Sequence, residues 1–244
     1  DKEFSTAVTM ASSVQGMLIP PSHNMIIYAM AAGGISVSAL FMAGIVPGVL
    51  LGIALMLYSY YLSVKRNYPK GTPFTLANLW TALKKSIWGL GTVLIVVIGV
   101  VEGPFGFCIT YLKIPEMVVN GMLGLTDSKF LLLLLINLII LVLGTILGMA
   151  SIIVIVTPIL MPVLLSIGLS PIQFGAILIL NCGIGLITPP VGGVLFIGSG
   201  ISGVPIERLF KHTLPLIVVM LIVLLLITYI PSITLALPNM LGLL

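Results

Sequence analysis

Residues 36–64 are almost wholly apolar and close on Lys65-Arg66, with Tyr58, Tyr60 and Tyr61 just before the charges. Residues 129–147 and 209–231 repeat that pattern, each starting beside a charged group. A helix needs about 20 apolar residues to cross the hydrocarbon core, so each of these runs predicts a crossing. The runs are continuous rather than alternating, which favours helices over barrel strands. Residues 150–167 form another apolar run, containing Pro158 and Pro162. Shorter runs lie at 87–101, ending at Glu102-Gly103-Pro104, and at 105–123, broken by Lys113 and Pro115. Between 75 and 86 (TLANLWTALKKS), Leu76, Leu79, Trp80 and Leu83 share one face, the pattern of a helix lying along the membrane surface.

Residues 172–187 and 191–201 are each too short to span, and Pro189-Pro190 separates them. Proline removes an N–H and clashes with the preceding turn, so the pair ends a helix inside an apolar region. Two short helices joined this way read as a re-entrant hairpin. The same wording occurs earlier: GMLIPPS at 16–22 matches GLITPPV at 185–191, an offset of 169 residues. At that offset Gly34 faces Gly203 and Leu40-Phe41 faces Leu209-Phe210; with a one-residue slip, Val46-Pro47 faces Leu214-Pro215. The fold expected is therefore an all-α integral membrane protein with inverted repeats, each a re-entrant helical hairpin followed by a broken transmembrane helix. Five runs between the two units make the repeats inverted, and the basic clusters agree, since Lys65-Arg66 end the first unit's crossing while Arg208 and Lys211 begin the second's. Three regions follow: 1–64 and 149–244 as two halves of a transport domain, and 65–148 as the interfacial helix and linking scaffold.

Composition narrows the classes further. Hydrophobic residues make up 59% of the 244 and charged residues 7%, far from the roughly 25% charged of soluble domains. The net charge of +4 sits at the ends of the apolar runs, which suits anchoring in a lipid bilayer rather than a nucleic-acid stripe. Cys108 and Cys182 lack CxxC or Cys/His spacing, so neither a disulfide framework nor a metal centre is expected. No Walker motif or nucleophile constellation is present, so the chain is not expected to be an enzyme or to carry an organic cofactor. The opening DKEF is not expected to be a natural start.

The polar atoms near the two Pro-Pro pairs carry the candidate chemistry. Around the first are Ser12, Ser13, Gln15, Ser22, His23 and Asn24; around the second, Asn181, Thr188 and Ser199. No Asp or Glu lies near either pair. Hydroxyls and freed carbonyls suit Na⁺, and half-helix N-termini can face an anionic substrate. A proton-coupled carrier would want an intramembrane acid or a histidine relay, and His23 is the one candidate. Each serine can equally bond back to its own helix, and each asparagine can equally join helices.

The stretches SSVQGMLIPPSHNMIIY and LNCGIGLITPPVGGVLFIGSGISG resemble the large membrane subunit of tripartite ATP-independent periplasmic (TRAP) transporters, as do FGFCITYLKIPEM, GTILGMASIIVIVTPILMP and SPIQFGAILILN. The resemblance implies a multi-pass protein of the bacterial inner membrane that imports a small carboxylate with Na⁺ by an elevator-like movement. It also implies a small four-helix membrane subunit and a periplasmic substrate-binding protein as partners. By position it assigns Na⁺ to Ser12, Ser13 and Gly16 with Gly44, Val46 and Pro47, and to Asn181, Gly183, Gly185 and Thr188 with the start of the last crossing. Ser22, His23, Asn24, Gly192 and Ser199 are the substrate candidates. SHNMIIYA is closest to sialic-acid carriers, with C4-dicarboxylates as the other substrate type. The departures from the pattern are helices expected before the first hairpin, a stretch expected near 100–105, and Gly148 where an acid is expected. A stand-alone Na⁺/dicarboxylate carrier and a non-transporting structural subunit stand as alternatives.

Overall fold

The computed structural model describes residues 2–68, 75, 80–81 and 128–244. Apart from Thr75, Trp80 and Thr81, the surface helix expected over 75–86 lies outside the described residues, as do the runs 87–101 and 105–123 and the seam at 100–105. All regular structure among the described residues is helical: α1 (Lys2–Leu18), α2 (His23–Ala31), α3 (Val37–Lys65), α4 (Lys129–Gly144), α5 (Met149–Ser166), α6 (Pro171–Leu186), α7 (Gly193–Ser202), α8 (Ile206–Tyr229) and α9 (Pro231–Met240). Local chemistry sets several boundaries. Ser36 Oγ accepts the Ala39 N–H at 3.1 Å and opens α3. Pro171 opens α6 at a position where no N–H is needed. Gly34 (φ 82°) and Gly203 (φ 67°) stand at equivalent repeat positions and take left-handed backbone at the turns into α3 and α8.

Helix α6 is the centre of the bundle. It is buried from Ile172 through Gly185 and packs on α1, α2, α3, α4, α5, α8 and α9. Its glycines admit these neighbours: the Tyr28 ring lies on Gly175, Val14 on Gly183, and the Gly144 backbone on Gly185.

The ends that meet fix the helix directions. Gln173, in the first turn of α6, donates to Ile227 O and Thr228 O at the end of α8, both at 3.0 Å. Gly198 in α7 lies against Leu209 in the first turn of α8. Together α6 and α7 therefore run the length of α8, opposite to it, and the chain does not turn back at Pro189-Pro190. The first pair behaves alike: from Gly52 through Gly48 to Gly44, α3 meets Gln15, Ile19 and then Met25, and Leu40 and Tyr28 come together over Gly175. Helices α1 and α2 thus run on past Pro20-Pro21. Both Pro-Pro bonds are cis.

This corrects the expected hairpins. Each Pro-Pro pair interrupts a crossing instead of reversing it, because a proline pair ends hydrogen bonding while packing on α3 or α8 decides where the next half-helix goes. The segment that does fold back is α4–α5, read from sequence as two separate runs. Lys129 and Phe130 at the start of α4 border the same cavity as Gly168 and Leu169 just beyond α5, while the far end of α4 reaches Gly185 in the interior. The boundary drawn at 148/149 consequently falls in the bend of one unit. The expected breaks after the Pro-Pro segments are also absent: α3 and α8 continue as helices through Pro47 and Pro215. A lone proline removes one hydrogen bond, which a packed helix can absorb.

Val14 and Gly183 are 169 residues apart and touch each other. Met10, one turn earlier in α1, lies on Gly198, so α1 runs against the course of α6 and α7 there. Outward-facing side chains such as Val49, Ile53, Met56, Leu138, Val218 and Ile222 are apolar and exposed.

Candidate functional site: where two interrupted helices meet

The α4–α5 bend and the α6–α7 break come together in the interior. A methyl group on Gly144 would stand 3.3 Å from the Gly185 Cα and 3.4 Å from the Cys182 Cα, so the two backbones meet with no room for side chains. Beyond the prolines, Val191 N–H and Gly192 N–H both donate to Thr145 O at 3.2 Å. The Thr145 hydroxyl donates to Val142 O at 2.8 Å and the Thr188 hydroxyl to Ile184 O at 2.7 Å, which leaves lone pairs on both oxygens. Two helix C-termini, at Gly144 and Leu186, thus bring their last carbonyls to one place, and the N-termini of α5 and α7 start beside it. The carbonyl ends carry partial negative charge and the N-termini partial positive charge.

A polar clasp holds this junction. Asn181 Nδ2 donates to Asn137 O at 2.8 Å and to Asn137 Oδ1 at 2.9 Å. Asn137 Nδ2 donates to Leu133 O and to Thr228 Oγ1, so α4, α6 and α8 are tied together. Asn181 Oδ1 is buried without a partner among the described residues, one turn before Gly185. Among the described residues no cluster of His, Cys, Asp or Glu could hold a metal.

The expected site residues separate into two groups. Asn181, Gly185, Thr188 and the buried Gly192 meet at the junction. Their counterpart is the α4–α5 bend rather than the start of α8, which lies at the outer end of α7. Gly183 instead contacts Val14 of α1. Around the first break no such meeting occurs among the described residues. Ser12 and Ser13 bond back to Thr9 O and Met10 O, and Gly16 faces open space. Gly44 packs on the Leu18 carbonyl, with Val46 and the buried Pro47 in the next turn. Ser22 and Asn24 are buried, His23 is exposed, and the Ser22 hydroxyl has no partner. Ser199 donates to Val204 O and closes the turn into α8. A hollow of about 440 Å³ separates α1 from α7, bordered by Ser5, Thr6, Thr9, Ser13 and Ser202.

Sequence reasoning missed Asn137, Gly144 and Thr145 as members of the site. A lone asparagine inside KFLLLLLINLIILVLG was the available signal, since a polar group in an apolar crossing needs a buried partner.

Interrupted helices meeting in an interior with no buried charge among the described residues, with Val37–Lys65, Met149–Ser166 and Ile206–Tyr229 long and apolar enough to cross a bilayer, define a multi-pass α-helical membrane protein. The chain belongs to the DctM component family of tripartite ATP-independent periplasmic transporters, whose model matches residues 1–106 and 102–233. It is accordingly a protein of the bacterial inner membrane. The isethionate TRAP transporter permease protein DctMQ of Oleidesulfovibrio alaskensis is 36% identical over 287 residues, covering 95% of this chain and 45% of the relative. The C4-dicarboxylate TRAP transporter large permease protein DctM of Pseudomonas aeruginosa is 30% identical, covering 98% of this chain and 68% of the relative. The sialic acid TRAP transporter large permease protein SiaM of Vibrio cholerae matches with the same identity and coverage. The two pieces of the family match meet over 102–106, and the 287-residue pairing exceeds the 244 residues of the chain.

Proposed function

We propose that this chain forms the ion- and substrate-handling core of a sodium-coupled importer of small organic acids, acting as the large membrane subunit of a binding-protein-dependent transporter. The observation that carries this reading is the junction of the α4–α5 bend with the α6–α7 break. Facing helix C-termini and unwound carbonyls suit a cation, and half-helix N-termini beside them suit a carboxylate. With no acid at the junction among the described residues, a hard monovalent cation fits better than a proton relay. Gly144 O, the carbonyls near Gly185, the Thr188 hydroxyl and Asn181 Oδ1 are the candidate ligands for Na⁺.

Inverted repeats are supported by the opposed crossing of α1 and α6 at Val14 and Gly183. In this reading α4–α5 is the re-entrant hairpin and each Pro-Pro segment is the broken crossing. The relatives named for isethionate, C4-dicarboxylates and sialic acid all handle small organic anions, which supports a substrate of that class. A small membrane subunit and a periplasmic substrate-binding protein complete the transporter.

The test is uptake into proteoliposomes containing the complete transporter with its binding protein, measured against external Na⁺. Thr188→Ala should raise the Na⁺ needed for half-maximal uptake about tenfold, as expected for one lost buried hydroxyl ligand, with normal insertion. Unchanged Na⁺ dependence in the variant, or uptake driven by a proton gradient without Na⁺, would overturn the reading.

A further inference from the structure

At the end of the bundle where α4 and α6 begin and α8 ends, a cavity of about 370 Å³ is lined by Lys129, Phe130, Gln173, Thr228, Tyr229 and the turn at Gly168. Three features give it a definite chemistry. Lys129 is exposed, forms no ion pair with a described residue, and sits in the first turn of α4 near the N-terminus of α6, where partial positive charge adds to its own. Gln173 is 1% exposed, yet only its amide nitrogen is bonded. Its Oε1 has no partner among the described residues, and Gln173 lines the cavity, so the oxygen calls for a hydrogen-bond donor. Phe130 and Tyr229 stack with ring centroids 4.5 Å apart, and Tyr229 donates to Phe130 O at 3.0 Å. This fixed aromatic pair lies at the depth where a crossing leaves the bilayer and offers its faces to a cation.

An anion alone would satisfy Lys129 but would face the Gln173 oxygen unfavourably. A cation alone would do the reverse. We propose that this cavity binds the headgroup of a phospholipid with a primary ammonium, of the phosphatidylethanolamine type. Its phosphate meets Lys129 and the helix N-termini, and its ammonium meets Gln173 Oε1 and the aromatic pair. The acyl chains then follow the exposed apolar ridge of Leu134 and Leu138 along α4. A quaternary ammonium has no N–H for Gln173, so phosphatidylcholine should bind worse. Phosphatidylglycerol keeps the phosphate and lacks the cation.

The test is retention of each of these three dioleoyl lipids, titrated separately onto the full chain in detergent and counted by native mass spectrometry. Phosphatidylethanolamine should be retained above the other two. Lys129→Ala should lower its retention about two- to fivefold, the range of an exposed charge pair, and Phe130→Ala should narrow its margin over phosphatidylglycerol. Both residues are exposed, so the bundle should survive either change, and a thermal melt of each variant would confirm it. Equal retention of the three lipids, or unaltered retention of phosphatidylethanolamine by folded Lys129→Ala, would overturn the proposal.

Discussion

The two Pro-Pro breaks begin from nearly the same residues and, among the described residues, end in different surroundings. At the second, the α4–α5 bend closes on the interruption, and Thr145 O takes the two N–H groups that the prolines free. At the first, no described residue does this for Ser22 or His23, and the Ser22 hydroxyl stays buried without a partner. The helices leading in differ likewise: α6 is buried from Ile172 to Gly185, whereas α1 buries one face. Even the neighbouring grooves diverge. Where α6 meets α2, the Tyr28 ring fills the space over Gly175 and bonds to Pro171 O. Where α1 meets α7, the equivalent position is the exposed Ile197, and a hollow remains. An interruption by itself is therefore only a loss of hydrogen bonds. It becomes a candidate site when a second interrupted element docks against it.

Pairs of equivalent positions put that contrast to the test. The largest effect is expected at Tyr28: replacement by Ala should cost about 3–5 kcal/mol, as for other buried aromatics, while Ile197→Ala should stay within about 0.5 kcal/mol. Thermal melts of the purified variants would show whether the two grooves really differ in this way. Next comes the glycine pair. A methyl group on Gly185 would run into the Gly144 backbone, which cannot step aside as a side-chain tip could, whereas one on Gly16 would meet nothing within 4 Å. Gly185→Ala should destabilise by about 1–3 kcal/mol and abolish uptake. Gly16→Ala should leave uptake intact and stabilise α1 by about 0.5–1 kcal/mol. Similar uptake in both would mean that the junction is not where the chemistry occurs. The smallest effect is expected for Asn181 and its counterpart Ser12. Asn181→Ala should cost about 1 kcal/mol, typical of a hydrogen bond between membrane helices, and Ser12→Ala should be silent in the same melt because that hydroxyl only returns to Thr9 O.

Much of the architecture was legible because apolar length and Pro/Gly punctuation are local signals. The run 36–64 became α3, 172–187 and 191–201 became α6 and α7, and the repeat offset placed Gly34 and Gly203 in matching turns. The direction taken after each Pro-Pro pair was not legible, since it depends on which neighbour the second half-helix packs against. Nor was the α4–α5 bend: glycines are frequent in ordinary membrane helices, so GTILG inside an apolar run gives little warning of a reversal. Asn181, Gly185 and Thr188 were found by their nearness to the break, but Gly144 and Thr145 join them only through contacts some forty residues away in the chain.

Cys182 sits on α6 beside Gly144, fully buried. Its thiol should be inert to maleimides while the bend and the break stay together, because a buried thiol reacts only when its surroundings open. In a Cys108→Ser background its rate of alkylation becomes a clock for the separation of the two elements. Any ion that bridges them should slow that clock without a direct bond to sulfur.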